Sequence, residues 1–179
     1  MNRVLILSDR EMRSLIDWPD AAAASATAFG QFSAGRAQSP VRMRLPLASG
    51  RRFAVMPGFD LDSGALGTKL VGYYPDNPRH GLARVTGVYT LFDPDTGLLR
   101  ALMEGACLTN LRTAAGALVA AQTLGRAGWT RVGIIGSGGL GAMTARAFLD
   151  ATDAERVFLY SRTRTNAERL AASLASDRL

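Results

Sequence analysis

The residues best suited to chemistry form a glycine-rich run that directly follows an apolar segment. The strand-like Val132–Ile135 leads into Gly136, Gly138 and Gly141, which have the spacing G-x-G-x-x-G. In a dinucleotide-binding loop the first glycine permits the tight turn and the second lets the backbone approach a pyrophosphate. The third allows close packing of helix on strand. The run therefore predicts a dinucleotide site, with a purely structural glycine turn as the alternative.

The flanking residues predict the βαβ unit that such a loop requires. A helix is expected over Ala142–Asp150 and a second strand over Arg156–Tyr160. Gly139 and Leu140 lie where the helix starts, so their amides and the positive end of the helix dipole would face the phosphates.

The residues after the second strand indicate which dinucleotide is bound. NAD sites place an Asp or Glu about 20 residues beyond the glycines, on the ribose 2′-hydroxyl. Here Ser161, Arg162, Thr163 and Arg164 stand in that place. Because guanidinium groups bind phosphate well, the segment favours NADP(H) over NAD(H). The alternative is that both arginines are solvated charges at the start of the next helix.

The elements before this unit are of a different kind. Val4–Leu7 is a predicted strand, Ser8 and Glu11 form a capping box, and a helix is expected to open at Pro19. Residues 39–105 predict a largely antiparallel sheet. Its expected strands are Val41–Leu47, Arg52–Met56, Leu66–Tyr74, Val85–Phe92 and Leu98–Met103, with turns at Pro57-Gly58, Asp62–Gly64 and Asp93–Gly97.

A long, alanine-rich helix is expected to join the two regions. Thr109 would start it, Asn110–Leu124 would form it, and Gly125 and Gly128 would end it. The fold class is therefore α/β, with a mixed α+β domain over residues 1–128 and the start of a Rossmann domain over 129–179. Only one βαβ start fits after Arg131, so we expect an N-terminal portion of a longer protein.

Composition excludes several classes of partner. The 179 residues are 47% hydrophobic and 20% charged, as in ordinary globular proteins. Cys107 is the single cysteine, which fits a reducing cytoplasm, and no apolar stretch suits a leader or a membrane span. The arginines behind the net charge of +6 are scattered, so nucleic acid is not expected. Cys107 and His80 lack the spacing of metal ligands.

Several short segments, taken in order, resemble the ornithine cyclodeaminase/mu-crystallin family. They are Ser39–Arg42, Val55–Pro57, Leu66–Val71, Leu91–Asp93 with Thr96-Gly97, Ala101–Gly105, Leu108–Ala115 and Gly133–Gly138. The resemblance implies a front region for substrate and homodimerisation and a Rossmann domain for NAD(H) or NADP(H). It also implies hydride transfer at a carbon that bears nitrogen beside a carboxylate.

The resemblance assigns roles that spacing alone leaves open. Lys69, on a solvated strand face by spacing, would instead face the site, bind the substrate carboxylate and help to polarise the imine or carbonyl carbon. Arg112 has apolar neighbours in the long helix, so it is expected to be a buried charge that needs a partner. By the resemblance it would pair with that carboxylate or the nicotinamide end, with a structural partner such as Glu104 as the alternative. Arg42 would bind the carboxylate, or be a solvated strand residue.

Other positions refine this expectation. Thr109 and Thr113 would cap the long helix, touch the cofactor, or both. Ornithine cyclodeaminases carry a glutamate where this chain has Ala54, which argues against ornithine. No residue of this chain matches the family's catalytic aspartate.

The prediction is therefore an NAD(P)-dependent oxidoreductase acting on a small amino or imino acid, of the alanine dehydrogenase or ketimine reductase type. The alternatives are an ornithine cyclodeaminase-type ammonia-lyase, a non-catalytic binder of NADPH or a small ligand, and an inactive fragment.

Overall fold

A computed structural model describes residues 3–176 of the chain. None of its described helices is both long and apolar enough to cross a membrane. In chain order the elements are β1 (Leu5–Leu7), α1 (Asp9–Leu15), α2 (Trp18–Ser33), β2 (Ala37–Gln38), β3 (Met43–Pro46), β4 (Arg52–Asp60), β5 (Leu66–Tyr73), a 3-10 turn (Asn77–His80), β6 (Val85–Phe92), β7 (Leu99–Glu104), α3 (Gly105–Leu124), β8 (Arg131–Ile135), α4 (Gly139–Ala151), β9 (Arg156–Tyr160) and α5 (Arg164–Ser176).

The described residues form two compact units. The first unit comprises the residues up to Leu15 together with Thr27–Thr109, and the second comprises Ile16–Ala26 together with the residues from Asn110 onward. The α/β fold class is as predicted, because each unit packs helices on a β-sheet.

The sheet of the first unit is largely antiparallel, as predicted. Its order is β1-β7-β6-β5-β4-β2, with β3 also paired to β4, and within the described part of this sheet only the β1–β7 pairing is parallel. The hairpin between β6 and β7 closes through Asp93, whose amide donates to the Leu98 carbonyl at 2.9 Å. Gly97 has a φ of 69°, which suits glycine and completes this turn.

The turn expected at Pro57-Gly58 is wrong, because β4 continues through it to Asp60. On one side β4 pairs with β5 along its whole length to Phe59. On the other side β3 pairs with β4 only up to Val55, and the pairing of β2 with β4 begins only at Phe59. Pro57 therefore falls between two short partner strands, where a missing amide hydrogen breaks no ladder bond.

The helix expected from Asn110 begins five residues earlier, at Gly105. The Glu104 carboxylate accepts hydrogen bonds from the amides of Ala106 and Cys107 at 2.8 and 2.7 Å. It thereby satisfies two amides that have no partner inside the helix.

The capping box predicted at the start of α1 is confirmed, since the Ser8 amide donates a hydrogen bond to the Glu11 carboxylate at 2.8 Å.

The second unit contains the predicted βαβ unit. Strands β8 and β9 are parallel and pair from Arg131–Arg156 to Ile135–Tyr160. Helices α4 and α5 cover one face, where a buried cluster is formed by Ile134, Ala145, Leu170 and Leu174. Helix α4 begins at Gly139, three residues before the predicted start.

Candidate functional site

The glycine loop of the second unit has the geometry that its sequence predicts. Gly136 follows β8 with a φ of 122°, and its amide donates to the Tyr160 carbonyl of β9 at 2.8 Å. A Cβ atom on Gly141 would lie 2.2 Å from the Gly136 carbonyl oxygen. Because no side chain fits at that distance, glycine is required at position 141 for α4 to start against the loop.

The same loop leaves space and donors for a pyrophosphate. A Cβ atom on Gly138 would meet nothing within 4 Å, so the backbone is open to close approach there. The first helical hydrogen bond of α4 runs from the Ala142 amide to the Gly138 carbonyl. The amides of Gly139, Leu140 and Gly141 therefore point out of the helix start toward an external acceptor. These residues fit a dinucleotide phosphate.

Two further side chains lie beside this loop. The Ser137 hydroxyl donates to the Ser161 hydroxyl at 2.8 Å, which ties the loop to the end of β9. The side-chain amide nitrogen of Asn110 lies 3.3 Å from the place that a Cβ on Gly139 would occupy. Sequence reasoning missed Asn110, because its sequence position in α3 carries no signal that it reaches the glycine loop.

The residues after β9 differ in what they contact. Arg164 forms an ion pair with Glu168 of the same helix at 2.8 Å. Arg162 and Thr163 are exposed, and within residues 3–176 Arg162 has no carboxylate partner. Of the two arginines, Arg162 is therefore the one whose guanidinium remains available for an anion.

Lys69 is buried in the first unit. It lies on β5 between Met56 of β4 and Tyr89 of β6, with 8% of its surface exposed. Its ammonium nitrogen stands 5.5 Å from the centre of the Tyr89 ring, and no carboxylate in the described part of the chain pairs with it. Burial of a charge without a counterion is costly, so this ammonium calls for an anionic ligand.

One sequence signal for Lys69 was missed. The chain has 21 lysines and arginines, and Lys69 is the single lysine among them. Arginine serves every other cationic position, including all the exposed ones. The lysine at the buried position 69 provides a compact ammonium group with three donors.

The other predicted site residues are distributed over both units. Arg42 is exposed in the first unit, where it lines a cavity of about 170 Å³ with Arg44 and Arg52. Thr109, also in the first unit, donates its hydroxyl to the Gly105 carbonyl and lies 3.5 Å from the Tyr89 hydroxyl. Thr113 lies half-buried in the second unit.

The expectation that Arg112 is a buried charge is wrong. Its side chain is exposed on α3, whereas Leu111, Ala114 and Ala115 form the buried face of that helix. Its charge is therefore solvated and needs no structural partner. Glu104, the partner considered from sequence, instead caps α3.

Cys107 is a packed residue with an unreactive thiol. It is 1% exposed, and burial raises the pKa of its thiol to about 11. The thiolate is thus scarce at neutral pH. Among residues 3–176, no group of three His, Cys, Asp or Glu side chains is placed to hold a metal ion.

Comparison with known proteins identifies the family of the chain. The model of the ornithine cyclodeaminase/mu-crystallin family matches residues 2–178. The chain is 36% identical over 165 residues to a Delta(1)-pyrroline-2-carboxylate reductase of Bacillus cereus, which covers 92% of this chain and 51% of that protein. The chain spans about half the length of the curated relatives it matches.

Solved structures show the same relationship. The Thermococcus litoralis Delta(1)-pyrroline-2-carboxylate reductase in complex with NADH and L-proline has a TM-score of 0.89 and 31% identity, over 97% of this chain and 54% of that one. An archaeal alanine dehydrogenase dimer with bound NAD has a TM-score of 0.88 and 31% identity, over 98% and 53%. The chain belongs to the ornithine cyclodeaminase/mu-crystallin family.

Proposed function

We propose that the protein is an NAD(P)-dependent oxidoreductase that transfers a hydride at the α-carbon of a small amino or imino acid. The observation that carries the proposal is the buried Lys69 ammonium, which has no carboxylate partner among the described residues. A substrate carboxylate would supply the missing charge. The relatives named as pyrroline-2-carboxylate reductases support a cyclic imino acid as the substrate.

In this proposal the basic residues orient and polarise the substrate. Lys69 binds the carboxylate and draws electron density from the adjacent C=N carbon, and Arg42 binds the same carboxylate. Arg112 is assigned a role in orienting the substrate. Reduction adds a hydride to that carbon and a proton to the nitrogen. The nicotinamide, when bound, supplies the hydride.

The proposed cofactor site is the glycine loop with the end of β9. Gly136, Gly138, Gly139, Leu140 and Gly141 would hold the pyrophosphate. Ser161, Arg162 and Thr163 would bind the 2′-phosphate, so NADP(H) is preferred to NAD(H), and Thr109 and Thr113 would lie toward the nicotinamide. Support comes from the exposed Arg162, which lacks a carboxylate partner within residues 3–176.

The wider organisation is proposed on the same basis. We assign substrate binding and dimerisation to residues 1–128 and the start of the Rossmann domain to 129–179. The homodimer is supported by the archaeal alanine dehydrogenase dimer. A cytoplasmic location is supported by the single cysteine.

Two alternatives to a reductase, an ammonia-lyase and a non-catalytic binder, make different predictions. An ammonia-lyase of the ornithine cyclodeaminase type is disfavoured by Ala54, which leaves no carboxylate at that position to handle the substrate and proton movement. A non-catalytic binder would take up the cofactor without turnover.

The test is to follow nicotinamide absorbance with Δ1-pyrroline-2-carboxylate and NADPH or NADH. We expect net oxidation of the cofactor. Lys69→Met should lower kcat/KM by about a hundredfold, since it removes a buried charge contact, and leave cofactor affinity unchanged. Arg84→Ala, which removes an exposed charge elsewhere on the first unit, is the control. Ammonia release without net cofactor change, or cofactor binding without turnover, would contradict the proposal.

A further inference from the structure

Three arginines surround the cavity of about 170 Å³ on the sheet of the first unit. Arg42 precedes β3, Arg44 lies on β3, and Arg52 begins β4. The lining is completed by Phe53, Ala54, Val71 and Tyr73. It contains no acidic side chain, and none of the three guanidinium groups pairs with a carboxylate within residues 3–176. Three positive charges around one cavity, with no carboxylate partner in the described part of the chain, would attract an anion.

The strand register places this cavity beside Lys69. Directly paired residues share a face of a sheet, so Arg44, Ala54 and Val71 form one row across β3, β4 and β5. The neighbouring row on the same face contains Met56, Lys69 and Tyr89. Rows on one face are two residues apart, which is about 7 Å. The arginine cavity and the Lys69 ammonium are therefore adjacent along β5.

Two features prepare the cavity for a ligand. The guanidinium carbon of Arg52 stands 4.5 Å above the centre of the Tyr73 ring, which restricts this arginine before any ligand binds. Ala54 occupies the centre of the row between Arg44 and Val71, and its methyl group leaves the space between the arginines open. A larger or acidic side chain at position 54 would fill the cavity or neutralise it.

We infer that this cavity is a subsite for a second carboxylate, so that the preferred substrate is a short dicarboxylic imino acid. One carboxylate would bind Lys69, and the other would bind Arg44 in the neighbouring row and Arg52 in the row beyond it. The inference rests on the proposed function, because it places the first carboxylate on Lys69. It adds a selectivity that the glycine loop and Lys69 do not provide.

The test compares two stable planar analogues of cyclic imino acids, pyridine-2-carboxylate and pyridine-2,6-dicarboxylate. Calorimetric titration of the full chain should show the dicarboxylate binding about tenfold or more tightly, because charge-assisted hydrogen bonds are added. Arg44→Ala and Arg52→Ala should each remove most of that preference with little effect on the monocarboxylate. Arg84→Ala, which removes an exposed charge outside the cavity, should preserve the preference.

Each other outcome overturns the inference, and the outcomes separate it from the proposed function. Equal affinity for the two analogues, both lost in Lys69→Met, would leave Lys69 as the carboxylate site and refute the second subsite. A preference that survives Arg44→Ala and Arg52→Ala would place its origin elsewhere. If these variants instead dissociate a dimer in sedimentation, the cavity binds a carboxylate of a second copy. Binding of neither analogue would contradict the proposed function itself.

Discussion

Replacing Gly141 by alanine separates two opposing physical effects in α4. Helix propensity alone favours alanine over glycine by about 1 kcal/mol inside a helix. The structure predicts the opposite sign, because the new Cβ would lie 2.2 Å from the Gly136 carbonyl oxygen. Ordinary carbon–oxygen contacts are about 3.3 Å, so the loop or the helix must move by about 1 Å. Overpacking of this kind costs about 1–3 kcal/mol, or a fall in Tm of about 3–10 °C.

Gly138→Ala is the matched variant on the same loop. Gly138 has extended backbone angles that any residue adopts, and its Cβ would meet nothing within 4 Å. The free energy of unfolding of the Gly138→Ala protein should therefore differ from that of the wild type by less than about 0.5 kcal/mol. The methyl group would, however, occupy the approach of the pyrophosphate and disturb one or two charge-assisted hydrogen bonds. Cofactor affinity should fall by about tenfold to a hundredfold.

Thermal unfolding by circular dichroism and nicotinamide fluorescence titration measure the two effects on the same samples. Gly141→Ala should lose stability, and Gly138→Ala should lose cofactor affinity while keeping wild-type stability. A Gly141→Ala protein as stable as the wild type would refute the close-packing argument. A Gly138→Ala protein that binds NADPH as tightly as the wild type would refute the placement of the pyrophosphate.

Three further predictions concern single side chains. Arg162→Ala should weaken NADPH binding by about tenfold and NADH binding little. Arg164→Ala should change neither affinity, because the Arg164 guanidinium is already held in an ion pair. Equal losses for both cofactors in Arg162→Ala would contradict this. Because burial raises its thiol pKa to about 11, Cys107 should react with iodoacetamide at pH 8 only after denaturation, and rapid native labelling would show that the thiol is accessible. Ser8→Ala should cost about 1 kcal/mol in urea unfolding at pH 7. Hydrogen bonds from Ser8 lower the pKa of Glu11 below its ordinary 4.5, so this cost should shrink as the pH falls through the lowered pKa, and a pH-independent cost would refute the capping box.

The features that the sequence predicted well are those fixed by local geometry. The tight turn at Gly136, the presence of a helix after the glycine loop and the hairpin closed by Asp93 depend on a few neighbouring residues. Glycine, proline and aspartate have strong conformational preferences in such positions. The strands on either side of Lys69 were also predicted, although β4 extends beyond its predicted end at Met56 to Asp60.

The features that were predicted wrongly depend on partners distant in sequence. Pro57 continues a strand because β2 and β3 both stop short of it, which no local pattern reveals. Helix α3 starts early because Glu104 caps it, although glutamate is not a common N-cap residue. Spacing alone favoured a solvated Lys69, since the period of a strand does not show which of its faces is covered. Arg112 was expected to be buried because its neighbours are apolar, but it lies on the exposed stripe of α3.

Titration of the purified chain with NADPH and with NADH, followed by nicotinamide fluorescence, tests the central claim most directly. The geometry of the glycine loop and the exposed Arg162 predict saturable binding of one nucleotide per chain, tighter for NADPH than for NADH. Absence of saturable binding of either nucleotide, by a chain that circular dichroism shows to be folded, would contradict the claim that this loop is a dinucleotide site.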